Sequence, residues 1–241
     1  MTQIVLLNNV DHADLCVVQG YGPQFGDAIN QALVFPTEFD ALQREYVILF
    51  RQDDQNGLRA VVLLGLDRDE NLYLDGDAWR ARHVPAIQRR GPFSIGLSTD
   101  RAAGGQNDAR INVDLDHPRV TMDGGEPVFR RHGGATDYLE QVNLTLATLY
   151  DGLEVAGPMY TAWAEAGLIE PVAIDITVGE GRRYDLDNVL SISRDRLAAL
   201  DGPVLERLHS AGRLAPAFQV ASSLANIDRL VEMKNRKEGW A

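Results

Sequence analysis

Two nearly uninterrupted apolar runs, 46–50 (Tyr46, Val47, Ile48, Leu49, Phe50) and 58–66, stand a few residues apart, with the polar residues 53–57 between them. Runs this short and this rich in β-branched and aromatic residues suit buried strands, and the second is apolar enough to be central in its sheet. Asn56-Gly57 is the expected hairpin signal, because both residues tolerate the left-handed backbone that tight hairpin turns require. Asp67, Arg68, Asp69, Glu70 and Asn71 form a second polar turn, and 71–74 reads as a third strand. The expectation is an antiparallel meander of three strands.

Shorter strands are predicted at 4–7, 15–18 and 33–35, the last ended by Pro36. Thr37 is placed to cap a short helix over 38–44, with Phe39 and Leu42 on one face. Strands follow at 93–97 and 109–115, separated by a polar, Gly-rich loop over 99–108, and 126–129 is extended. From Thr136 the period changes. Leu139, Val142, Leu146, Leu149, Leu153 and Ala156 recur at threes and fours, which predicts a long helix capped by Thr136 or Asp137. Gly157-Pro158 predicts a kink or break before the pattern resumes through Tyr160 and Trp163 to a stop at Gly167. A hairpin and one further strand are expected over 172–193. Ser193 and Asp201 are placed as helix caps, and 214–236 reads as one final helix with a solvated basic tail, Lys234 to Glu238. Together these predict an α+β fold, with an antiparallel, meander-rich first half, a long central helix, a small β element and closing helices. We read 1–241 as a single domain with a soft division near 132, β-rich before it and helix-rich from 133, because no linker separates the parts.

Composition narrows the function classes. Acidic residues outnumber basic ones 35 to 23, for a net charge of −12. That argues against a nucleic-acid partner and against an anionic membrane surface. No apolar run is long enough to span a bilayer. The one cysteine, Cys16, lies in the apolar run 15–18 and reads as a small buried hydrophobe; a reducing, cytoplasmic setting is expected.

Against that acidic background, residues 76–93 concentrate positive charge. The stretch carries Arg80, Arg82, Arg89 and Arg90 together with Trp79, His83, Pro85 and Pro92. The prolines push Val84 and Gly91 out of the helical region and leave room for one or two helical turns between them. Trp79, Arg82, His83, Arg89 and Arg90, with Arg131 and His132 from the second cationic spot, are the candidate ligand- or partner-binding residues. Arginine suits carboxylate or phosphate; the competing reading is internal ion pairing with the surplus acids.

Other constellations are thinner. His12 and Asp14 form an H-x-D pattern. With a third ligand from His83, His117, His132 or His209 it would make the two-histidine, one-carboxylate face of a non-haem Fe(II) site; the same pair also serves as turn-formers. Asp114 and Asp116 lie two apart on a strand. No Gly-rich phosphate loop, dinucleotide fingerprint or nucleophile elbow is present, so no cofactor is expected.

The chain also resembles a family. Phe35-Pro36-Thr37-Glu38 ahead of 46–50, Leu72-Tyr73-Leu74-Asp75-Gly76-Asp77-Ala78-Trp79, Val84-Pro85 and the arginine-rich lead into Pro92-Phe93 are similar to the bacterial SapC family. So are Val113-Asp114-Leu115-Asp116, Gly133-Gly134-Ala135-Thr136 with Tyr138-Leu139-Glu140, Leu168-Ile169-Glu170-Pro171, residues 208–214 and Ala221-Ser222-Ser223-Leu224 with Leu230. The resemblance spreads over nearly the whole chain and carries no catalytic residue onto it. It implies a bacterial accessory role. Members are named for an association with surface-layer proteins and are often encoded beside flavin-dependent tryptophan halogenases, TonB-dependent receptors and cupin-like proteins. The expected function is a non-enzymatic accessory protein that binds a protein, peptide or small molecule. The alternatives are an Fe(II) oxygenase-like enzyme using His12 and Asp14, and a structural surface-layer component.

Overall fold

The computed structural model describes residues 3–53, 57–97 and 109–240. Its centre is a five-stranded antiparallel sheet in the order Ile169–Pro171, Val189–Ile192, Ile48–Asp53, Gly57–Leu63, Gln31–Val34. Ile48, Leu49 and Phe50 are all completely buried, so the sheet is covered on both faces, as the apolar runs predict. The central hairpin closes on Asp53 opposite Gly57. The rest of its expected turn, 54–56, and the Gly-rich loop over 99–108 lie outside the described residues.

The third neighbour of the hairpin is not 71–74 but Gln31–Val34. Residues 64–72 fold back instead. Leu64 and Gly65 donate to the carbonyl of Asn30 at 2.7 and 3.2 Å, and Asn71 Nδ2 donates to the carbonyl of Asp27 at 2.9 Å. The Glu70 carboxylate accepts from the amides of Leu66 and Asp67 at 3.0 and 3.2 Å. Only Leu72 reaches back, to Leu64, before Leu74–Asp75 pairs with Ala78–Trp79. Gly65 is required here, because a Cβ would lie 2.4 Å from the Glu70 carbonyl oxygen.

A second, smaller core forms where the sheet Ile4–Leu6, Ala109–Asp114, Phe93–Leu97 and the short strands around Cys16–Val17 meet the start of the long helix. Asp114 ends its strand, and its carboxylate accepts the amide of Asp116, so the two acids do not share a strand face.

The long helix, Asp137–Glu165, is capped by Thr136, whose Oγ1 accepts the Leu139 amide. Its first half gives Leu139, Val142 and Leu146 to the small core, and its second half gives Met159, Tyr160 and Trp163 to the main one. It runs through Pro158 as one helix, so of the predicted kink or break, the break does not occur. Pro158 and Glu154, whose carbonyl loses its helical donor, are both on the exposed face, so the unpaired carbonyl is not sealed in the core, while the opposite face is fixed by packing on Phe50. Thr37 does not cap the short helix Phe39–Leu42; its hydroxyl donates to the carbonyl of Thr148 and ties the Pro36–Glu38 turn to the long helix. Gly152 permits that approach, since a Cβ there would lie 2.4 Å from Phe35 Cβ.

The predicted final helix is two, Leu214–Ser223 and Ile227–Glu238, joined by a tight turn at Leu224–Asn226. The turn is set by tertiary bonds: Ser223 Oγ accepts the Ile48 amide at 2.9 Å, and Asn226 Nδ2 donates to the carbonyls of Gln43 and Tyr46. The tail is not simply a solvated basic end. Lys234 is buried, and its ammonium donates to Asp67, Glu70 and Glu238 at 2.7–2.8 Å. Those carboxylates come from the 64–72 turn and the helix's own last turn, which no local pattern brings together.

Candidate functional site

The cation-rich stretch begins in the core. Trp79 is buried against Tyr21 and Tyr73, and its indole N–H donates to the Tyr46 hydroxyl at 2.7 Å. Tyr46 in turn donates to the carbonyl of His83 at 2.7 Å, so one buried phenol fixes both residues. Burial raises the Tyr46 pKa well above its ordinary value, so it remains a hydroxyl. Pro85 then opens a single helical turn, Ala86–Arg89, and Gly91 ends it at φ 55°. Its first free amide, Ala86, is met by the buried carboxylate of Glu38, at 2.7 Å, which also lies 3.2 Å from His83 Nε2. Glu38 therefore supplies from 48 residues away the cap that no neighbour provides.

This support holds Arg89 and Arg90 half-buried. Neither forms an ion pair among the described residues, although Arg80 pairs with Asp75, Arg130 with Asp137 and Arg229 with Glu45. Arg90 Nη1 donates to the carbonyl of Phe93 at 2.8 Å, and the buried Nε atoms of both arginines have no acceptor among the described residues. Burial lowers the Arg90 pKa from its ordinary value. Behind them lies a third guanidinium, Arg119, which is already satisfied. It pairs with buried Asp27 at 2.8 Å, donates to the carbonyl of Gly20 and stacks over Phe25 at 4.3 Å. His117 Nδ1 accepts the Arg119 amide at 3.1 Å, and burial, then Arg119 and Arg90, depress its pKa. The imidazole is thus kept neutral beside the arginines.

Arg90 opens onto an apolar cleft of about 230 Å³ walled by Phe35, Ile87, Ile95, Leu146, Leu149 and Leu153, with Ser94 and Tyr150 also on its lining. The cleft lies where the long helix passes from one core to the other. Leu153 is 64% exposed on its rim. A second cavity of about 380 Å³ shares Phe35 and Leu153 with it and continues along the helix to Tyr160.

The other candidate residues are placed elsewhere. Arg82 is exposed, and its backbone amide donates to Glu45. Arg131 and His132 are exposed in the turn between Phe129 and Ala135, and Arg131 lines an open basin with Asp14, Met122 and a half-buried Cys16. Cys16 is therefore less enclosed than its apolar neighbours suggest. His12 is buried, with Nδ1 against the Asn8 amide at 3.1 Å, while Asp14 is exposed. Among the described residues, the one group of three metal-ligand-type side chains that converges to within 4.8 Å is Asp67, Glu70 and Glu238, and the Lys234 ammonium sits on it. Of the seven binding candidates, then, Arg89 and Arg90 stand half-buried on one short turn, Trp79 and His83 lie in the network that supports it, and Arg90 alone lines the cleft. Glu38 and Arg119 gave no local signal, because each is a lone charge whose partners are distant in sequence.

The sequence model of the SapC family matches residues 7–230. The chain belongs to the SapC family. The match takes in both cores, the long helix and the arginine pair of this SapC chain. No curated protein and no solved structure matches it. No helix among the described residues is long and apolar enough to cross a membrane.

Proposed function

We propose that this SapC-family protein is an accessory binding protein that receives an anionic group of a protein, peptide or small molecule at Arg89 and Arg90. One observation carries the reading. In a chain with 35 acidic and 23 basic residues, two half-buried guanidiniums are left without a carboxylate among the described residues. Desolvating a charge without a partner costs stability. Such a cost is retained where a ligand supplies the partner, and the Glu38–His83–Tyr46–Trp79 scaffold holds the turn in place for it.

The test separates a site from architecture. Unfolding midpoints of the wild type and of Arg89→Gln/Arg90→Gln are compared in sodium acetate and in sodium chloride at matched ionic strength. A binding site predicts that the variant is at least as stable as the wild type, and that acetate stabilises the wild type alone. A variant that is less stable, with no acetate effect on the wild type, would show the arginines to be structural.

A further inference from the structure

We infer that the cleft beside Arg90 binds an aliphatic monocarboxylate, a fatty acid, with its head at Arg90 and its chain along the long helix. The inference rests on the reading of Arg90 as an anion receptor and names the class of anion.

The head-group end is defined by what Arg90 still has to offer. Nη1 is occupied by the Phe93 carbonyl and Nε is enclosed in the protein, which leaves Nη2 to meet a ligand, with no acceptor among the described residues. A guanidinium N–H of this kind gives a carboxylate oxygen a short, charge-assisted hydrogen bond. Ser94, next to that carbonyl, lines the same cleft. At the far end the cation is Arg59, already facing Asp53 at 3.7 Å, so the two ends are not equivalent.

The body of the ligand is defined by the helix. Leu146, Leu149, Leu153, Ala156 and Tyr160 line the two cavities in succession along one stripe. From Leu146 to Tyr160 the stripe runs about 21 Å at 1.5 Å per residue. The two cavities, of about 230 and 380 Å³, border each other at Phe35 and Leu153, and their combined volume over that length is that of one extended chain, which would pass between those two side chains. A docked helix, about 10 Å across, would need several times as much. The head-group cleft is mostly apolar with Arg90 as its one cation, and Arg59 in the far cavity already faces Asp53, so a single negative charge on a long apolar chain matches both the charge and the shape.

The experiment uses the full chain and dodecanoate below its micellar concentration, competing with a fluorescent fatty-acid probe. Methyl dodecanoate, acetate and inorganic phosphate are titrated in parallel. Dodecanoate is expected to displace the probe at least tenfold more tightly than the ester. Arg90→Gln should weaken dodecanoate about 10- to 100-fold and leave the ester unchanged. Leu153→Glu should weaken both. Arg90→Lys keeps the charge and should recover part of the affinity, which guards against a folding defect in Arg90→Gln. If the ester binds as well as the acid, or Arg90→Gln has no effect, the carboxylate assignment is overturned. If acetate or phosphate binds with Arg90 dependence and dodecanoate binds no better, the fatty-acid class fails and the anion receptor stands. If none of the anions binds, both fail.

Discussion

Lys234 is held by three carboxylates, and Glu70 shows the balance most clearly. Burial pushes its pKa up, but hydrogen bonds from Lys234 and Lys237, then from the Leu66 and Asp67 amides, bring it down to about 2 from an ordinary 4.5. Asp67 is lowered as well, first by its bond from Lys234. A native pKa below the unfolded value means that the native state favours the ionised form. The contribution to stability is then complete above about 4.5 and is lost as pH falls toward about 2. Urea midpoints measured across that window should fall more steeply for the wild type than for Glu70→Gln. Lys234→Met should cost about 3–5 kcal/mol at neutral pH, because it leaves Glu70 charged, buried and short of its main donor. Equal pH slopes for wild type and Glu70→Gln would show that the cluster adds nothing.

The long helix makes the same point at the scale of an element. Intrinsic propensity says that alanine should improve both Gly152 and Pro158. The fold separates them. Gly152 lies against Phe35 and Thr37 with no room for a methyl group, so Gly152→Ala should destabilise by about 1–3 kcal/mol despite the better propensity. Pro158 faces water, so Pro158→Ala restores a helical donor without displacing anything and should stabilise by about 1–3 kcal/mol. Denaturant melts of the two variants should shift in opposite directions; shifts of the same sign would contradict the packing described.

For the whole molecule, the central sheet is built from both ends of the chain. Val189–Ile192 lies directly against Ile48–Asp53, and the long helix takes part in both hydrophobic cores. A fragment of residues 1–135 lacks two strands of that sheet and the helix that closes each core. It should show no cooperative unfolding transition by circular dichroism, since the apolar faces of 46–63 would have nothing to bury them. A sharp transition in the fragment would mean that the first half folds on its own. The anion site depends on the same assembly, because its arginines come from residues before 93 and most of its apolar walls come from the long helix and Ile95.

What could be read from the residues alone was whatever depends on near neighbours. The buried hairpin, the Thr136, Ser193 and Asp201 caps, the long helical stripe, the α+β class and the concentration of arginine at 76–93 all follow from periodicity and from backbone chemistry within a few positions. The third strand beside the hairpin, the unbroken helix at Pro158, the turn at Leu224–Asn226 and the burial of Lys234 were decided only in three dimensions. Each turns on a hydrogen bond or a packing contact between residues far apart in the chain. The arginines illustrate the division. Their clustering is plain in the sequence, but whether a guanidinium finds a carboxylate depends on which acids the fold carries within about 4 Å of it. For Arg80 and Arg130 it carries one, and for Arg89 and Arg90 it carries none among the described residues.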